Sequence, residues 1–204
     1  KKENKRGKST KKTLKTRGRN GKIIKADKLE RDESKRDIFY ADFETCVSDS
    51  EGNFLDCHKP FMCCISKAAN DAPVETFIGF DCGEQLLEYL AKESIFPLIY
   101  FHNLSYDINF LLKYGVYSVI NRNSTILQCE ILYKGVAMKF KDSYGLLPMK
   151  LKNIALSFKL PVQKEIFPYY FYSPERVEEA LIDNKKFSLI KDVYPLEHKF
   201  ENWN

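Results

Sequence analysis

The sequence predicts a mixed α/β fold, a sheet flanked by helices, on three observations. Apolar segments short enough for strands recur between residues 37 and 142, bounded by turn-forming residues. CGEQLLEYLAKES, residues 82–94, has helical spacing instead. The order of the pieces, three strands, then helix, strand, helix, a hairpin and a last helix, suits neither an all-α nor an all-β protein. No internal repeat is visible.

The elements follow in chain order. KKENKRGKSTKKTLKTRGRNGKIIK carries one acid among many Lys and Arg residues and almost no large apolar side chains. It cannot bury enough surface to fold alone, so residues 1–36 are expected to be a disordered basic tail. Electrostatic contact with nucleic acid and a solvated linker both fit this composition. DIFYADFETCV (Asp37–Val47) reads as a buried strand. KPFMCCISKAA and VETFIGF read as two more, parted by the turn-like NDAP. In the helix of residues 82–94, Leu86, Leu87, Tyr89 and Leu90 form the apolar stripe and Ser94 marks the end. FPLIYFHN is a continuous apolar run, the kind of strand covered on both faces. SYDINFLLKYG then reads as a helix with Ser105 as N-cap and Gly115 as terminator. TILQCEILYKGVAMKFKDSYG reads as two strands about a Lys134-Gly135 turn. MKLKNIALSFKL reads as a helix with Leu151, Ile154, Ala155 and Phe158 on one side. From PVQKEIFPYYFYSPE onward the chain is aromatic, proline-containing and irregular. The expected organisation is therefore a tail at 1–36, one α/β domain at 37–165, and an extended aromatic arm at 166–204.

Composition narrows the function classes. The chain has 204 residues, 44% of them hydrophobic, enough for one packed domain. No apolar run approaches the ~18 residues of a membrane span, so no membrane role is expected. The chain begins at Lys1, which suggests a fragment or a processed product, and no secretory signal is visible. Cys57-His58 together with Cys63-Cys64 could clip a metal, but reduced intracellular cysteines are the plainer reading. Net charge is +5.

Chemistry concentrates at two places. Along the first strand, side chains alternate between faces, so Asp42 and Glu44 share one face with Tyr40, opposite Phe39, Ala41 and Phe43. Two carboxylates on one face of an apolar strand repel each other. Either a divalent cation relieves them, or the strand lies at a sheet edge and the acids face water. The second place is YFHNLSYDINFLL. Asp107 in the first turn of a helix capped by Ser105 is stabilised by free N–H groups, which accounts for it in structural terms alone. Asn103 suits a turn, and His102 suits a hydrogen-bonded core position.

The combination says more. ADFET with YFHNLSYDINFLL resembles the first two exonuclease motifs of family B DNA polymerases. It is especially similar to the protein-primed branch found in linear organellar and fungal killer plasmids and some phages. KDSYGLLPMKLKNIALSFKLPVQKEIFP continues the likeness through an Asp-Ser segment, a helix and a lysine motif, so the resemblance covers residues 37–171. It implies a ribonuclease-H-like 3′→5′ exonuclease domain using two divalent metal ions, Mg²⁺ or Mn²⁺, within a DNA-directed DNA polymerase. Matching position by position, Asp42, Glu44 and Asp107 would be catalytic metal ligands and Lys164 a catalytic lysine. Thr45, His102, Asn103, Tyr106 and Ser143 would bind the single-stranded 3′ end of DNA. The branch further implies a terminal priming protein as partner and a mitochondrial, plasmid or viral replication compartment. The bottom-up reading agrees in kind, since Tyr106 can stack on a base and hydroxyl, amide and imidazole groups suit sugar and phosphate.

One departure stands out. The family places a Tyr four residues before a fourth catalytic Asp, and no Tyr here has an Asp four residues later. Asp192 lacks that context. The expectation is a chain with weak or no nuclease activity on its own. Two other readings compete: a standalone or inactive nuclease of the same fold, and a non-catalytic nucleic-acid-binding module using the basic tail and aromatic arm.

Overall fold

The computed structural model describes residues 15–17, 23–25, 36–69, 72–161 and 169–182. The chain divides into Lys1–Lys35 and a compact unit from Arg36 onward. In the first, β1 (Lys15–Arg17) and β2 (Ile23–Lys25) pair antiparallel, Thr16 opposite Ile24. The rest of the basic segment, and the disorder expected of it, lies outside the described residues.

The second unit is built on seven strands: β3 (Asp37–Ser48), β4 (Phe54–Lys67), β5 (Val74–Ile78), β6 (Pro97–Phe101), β7 (Val116–Arg122), β8 (Thr125–Tyr133) and β9 (Val136–Asp142). Their order across the sheet is β5-β4-β3-β6-β9-β8-β7. The centre, β3-β6-β9, is parallel and both flanks are antiparallel. The mixed sheet expected from the sequence is thus present. β6 is the apolar PLIYF run, with Leu98, Ile99 and Phe101 buried. Hairpin β8–β9 turns on Lys134 and Gly135 at φ +47° and +85°, the left-handed pair that a two-residue turn between twisted strands requires.

One face of the sheet is the core. Phe39, Phe43, Cys63, Ile65, Ile99, Phe101 and Phe140 point to it, under Leu86, Leu87 and Leu90 of helix α1 (Cys82–Glu93). α1 stops at Ser94, whose N–H makes the last helical bond to the Leu90 carbonyl and whose extended backbone ends the helix. Each of those leucines is fully buried, worth ~1.5–3 kcal/mol apiece against exposure. The opposite face of β3 carries Tyr40, Asp42 and Glu44, so the alternation read from the sequence holds.

Four expectations are corrected. First, Ser105 is not an N-cap. α2 spans only Leu104–Asp107, with Asn103 at the cap position in the left-handed conformation (φ +74°), and two 3₁₀ turns, Ile108–Phe110 and Leu112–Tyr114, follow. Asn tolerates that conformation better than most residues, and Asp142 holds its N–H at 3.0 Å. The Ser105 hydroxyl instead accepts the Ile126 N–H of β8 at 2.7 Å. Gly115, at φ +100°, does terminate the segment. Second, β7 was not anticipated: it is an edge strand whose apolar residues Tyr117, Val119 and Ile120 stay about half exposed, so its pattern carries little core signal. Third, β4 begins at Phe54, several residues before KPFMCC. The β3–β4 hairpin closes on Asp49, whose Oδ1 accepts the N–H groups of Glu51 (3.0 Å) and Asn53 (2.8 Å), with Gly52 at φ +88°. Cys57 and Cys63 therefore lie six residues apart on one strand, about 20 Å, too far to clip one metal. Fourth, the described part of the expected extended arm is ordered into a 3₁₀ turn (Tyr169–Phe171) and a helix. Ser173 caps that helix through its Oγ and the Arg176 N–H, and Pro174 takes its first position, where no N–H is needed. Tyr172 stacks on Phe61 at 4.9 Å and Val177 packs beside Cys46, so this segment lies on the sheet. The third helix, Leu151–Ser157, buries only Ala155 of its expected stripe, leaving Leu151 and Phe158 exposed.

Candidate active site

β3 and the turn after β6 meet at their ends. Asp107 is buried, and its Oδ1 accepts the backbone N–H of Phe43 at 3.3 Å. That bond pins the carboxyl to β3 at the residue between Asp42 and Glu44. Burial pushes the Asp107 pKa up to about 7, and the Asp42 and Glu44 charges push the same way against the Phe43 hydrogen bond. The Asp42 and Glu44 carboxylates thus add to burial in disfavouring ionisation of Asp107. The sequence-predicted metal ligands share a site.

Thr45 and Tyr106 belong to it too. A register shift between Glu44 and Thr45 breaks the strict alternation of β3, and both Thr45 and Cys46 become buried. Thr45 Oγ1 meets Tyr106 Oη at 2.8 Å. Burial raises the Tyr106 pKa, opposed by the Thr45 bond. Its ring packs edge-on to Phe110 at 5.3 Å and remains 37% exposed on the cleft side.

His102, Asn103 and Ser143 form a separate network where β6 and β9 end. His102 Nδ1 lies 3.1 Å from Ser143 Oγ, and Nε2 lies 2.9 Å from the Met149 carbonyl. Ser143 Oγ also reaches the Phe101 carbonyl at 3.0 Å. The Asn103 and Tyr144 N–H groups both donate to Asp142 Oδ1, at 3.0 and 2.8 Å. Residues 103–107 run from this network to Asp107. Lys164 lies outside the described residues.

Asp142 and Tyr169 carry no role in the sequence reading, and His58 enters it only as half of a Cys57-His58 metal clip. Asp142, buried, orders the loop through those two N–H bonds; the KDS stretch contained it, but only Ser143 was given a role. His58 lies on β4 with Nδ1 2.7 Å from Tyr106 Oη. Tyr169 hydrogen-bonds with Glu44, and burial, reinforced by Glu44, Asp42 and Tyr106, pushes its pKa up to about 12. A search for Tyr with Asp four residues on passes over Tyr169, because Ser173 stands there. Together Phe43, Thr45, Val47, Phe54, His58, Tyr106 and Tyr169 line a cleft of about 450 Å³.

The donor set suits hard divalent cations in kind, being all carboxylate, and the mutual repulsion felt at Asp107 is what a cation would relieve. Among the described residues, however, no three His, Cys, Asp or Glu side chains converge tightly enough to form a finished metal site.

Comparison with known proteins identifies the family and the fold. The family model described as DNA polymerase type B, organellar and viral, matches residues 97–202. The DNA polymerase of Streptococcus phage Cp-1 is 26% identical over 161 residues, 71% of this chain and 27% of that protein. A probable DNA polymerase of Podospora anserina is 45% identical over 58 residues, 26% of this chain and 5% of that protein. The chain thus spans about a quarter or less of these relatives. Phi29 DNA polymerase complexed with single-stranded DNA shares the fold, with a TM-score of 0.51 and 22% identity over 76% of this chain and 32% of that one. Its complex with primer-template DNA gives 0.52 with the same identity and coverage. The family model alone covers more than half of the sequence, and the chain belongs to the organellar and viral type B DNA polymerases.

Proposed function

We propose that this chain is the 3′→5′ exonuclease portion of a DNA-directed DNA polymerase, cleaving nucleotides from single-stranded 3′ ends with two divalent cations, Mg²⁺ or Mn²⁺. The observation that carries the reading is Asp107, fixed by the Phe43 N–H between Asp42 and Glu44, with a pKa raised to about 7. Asp42, Glu44 and Asp107 would hold the cations. When bound, such ions stabilise charge on the scissile phosphate and lower the pKa of an attacking water. Tyr106, its hydroxyl fixed by Thr45, offers an exposed ring edge and face to a base. The network of His102, Asn103 and Ser143 holds the neighbouring loop in place and leaves Ser143 and Asn103 to border the DNA path. A lysine role for Lys164, a terminal priming protein and a mitochondrial, plasmid or viral compartment belong to the same proposal and rest on family membership alone.

The test uses the 204-residue chain and Asp42→Ala. Mn²⁺ should raise the melting temperature of the wild type and not of the variant. Single-stranded DNA should shorten slowly from its 3′ end in the wild type only, while both proteins still bind it. Cleavage that survives Asp42→Ala, or a wild type that neither gains stability from Mn²⁺ nor shortens DNA, would sink the reading.

A further inference from the structure

The cleft has a wall that neither the three carboxylates nor the motifs around them account for. It comes from β4, on the far side of the β3–β4 hairpin. Phe54, the first residue of β4, is 73% exposed, a large apolar ring held at the cleft mouth. His58, four residues on along an irregular stretch of β4, lines the same cleft and reaches Tyr106 Oη with Nδ1 at 2.7 Å, its ring edge-on to that of Tyr106 at 5.8 Å.

The consequence for Tyr106 is specific. Its hydroxyl has one proton and two neighbours, Thr45 Oγ1 on β3 and His58 Nδ1 on β4. One proton and two lone pairs are enough for both contacts, so the phenol hydroxyl is held from both strands of the hairpin. What it leaves free is the ring, facing a space lined by Phe54, Tyr169 and the Val47 side chain. At about 450 Å³ the space lies within the range of small-ligand sites, roughly 300–1,000 Å³. Aromatic walls with a few fixed polar groups suit an unpaired nucleobase, because every base has a face to stack.

We infer that Phe54 and His58 make the β4 wall of a base-binding cleft for single-stranded DNA, Phe54 by stacking on a base and His58 as a positioning residue that holds Tyr106. The inference rests on the nuclease reading above and extends it to residues outside the recognised motifs.

The experiment measures binding of a 5′-dye-labelled twelve-nucleotide oligo(dT) by anisotropy, with Ca²⁺ present so that binding is read apart from cleavage. Phe54→Ala should weaken binding about tenfold, within the range of one lost base–aromatic stack. His58→Ala should weaken it about threefold, the effect of removing one of two hydrogen bonds to Tyr106. His58→Asn, whose amide nitrogen stands where Nδ1 does, should restore most of the loss. In a Tyr106→Phe background His58→Ala should have no further effect, since the atom it acts through is gone. Both sites are exposed, and melting curves of the variants should overlay the wild type; a lowered melting temperature with unchanged affinity would make His58 a hairpin anchor only and overturn the inference. Wild-type affinity in Phe54→Ala and His58→Ala would overturn it while Asp42-dependent cleavage stands. A wild-type chain without affinity for the oligonucleotide would overturn both.

Discussion

Replacing Asp107 by Asn tests the carboxylate cluster without any DNA. In the metal-free chain the Asp107 carboxyl has a pKa of about 7, against 3.8 for an ordinary aspartate. The folded chain therefore holds this proton more tightly than the unfolded one. Stability contributed by the protonated form is complete below about pH 4 and is lost as pH rises towards 7. Each pH unit within that window costs the fold up to about 1.4 kcal/mol. From pH 5 to pH 8 only the two units below 7 count, so the loss is about 3 kcal/mol. The amide in Asp107→Asn has no such proton to lose, and its Oδ1 can still accept the Phe43 N–H. Urea unfolding in EDTA should therefore show the variant gaining on the wild type by about 3 kcal/mol between pH 5 and pH 8. With a urea slope of about 2 kcal/mol per molar, the midpoints should separate by about 1.5 M. Taking the change with pH removes whatever the substitution costs at every pH alike. Mn²⁺ at pH 8 should then narrow the gap by stabilising the wild type. A constant difference between the two proteins from pH 5 to pH 8 would refute the claim that burial and the neighbouring acids raise the Asp107 pKa.

Two further substitutions probe the scaffold around the site. Asp142→Ala removes the acceptor for the Asn103 and Tyr144 N–H groups and should cost about 2–4 kcal/mol in urea unfolding, while Asp142→Asn should keep most of that stability. Ser105→Ala removes the bond to the Ile126 N–H and should cost about 1 kcal/mol, with protection from hydrogen exchange falling at Ile126 in β8 and not at the start of the helical turn, as loss of an N-cap would require.

Legibility in the sequence followed how local each signal is. β6 could be read because PLIYF is a parallel strand covered on both sides, and an unbroken apolar run of that length between turn residues fits little else. The β8–β9 hairpin could be read because Lys134-Gly135 sits between two apolar runs. SYDINFLLKYG reads as one helix because eleven residues do not separate a period of 3.6 from successive turns of period 3; Ile108 and Leu111, three apart, are buried under either geometry. The cap at Ser173-Pro174-Glu175 was a legible start signal, lost among the surrounding aromatics. Within the site, Asp42, Glu44, Thr45, Tyr106 and Asp107 were found from the motifs, and the structure brings them together. His58 and Tyr169 were not, because nothing beside them in the chain announces that they reach Tyr106 and Glu44; only the folded hairpin and the stacking of Tyr172 on Phe61 put them there.

The parallel centre of the sheet has a bearing on how the molecule is made. β3–β4 is a hairpin, and β7, β8 and β9 form a meander; each can zip up from neighbours close in sequence. The seams that join them, β3 to β6 and β6 to β9, unite residues about 60 and 40 positions apart, such as Asp37 with Pro97 and Leu98 with Lys139, and loop-closure entropy makes such pairings slow. Asp42 and Glu44 stand on one side of the first seam and Asp107 just beyond it. Asp107 therefore meets Asp42 and Glu44 only when the β3–β6 seam closes, and the hairpin and the meander can each take shape before that repulsion is felt.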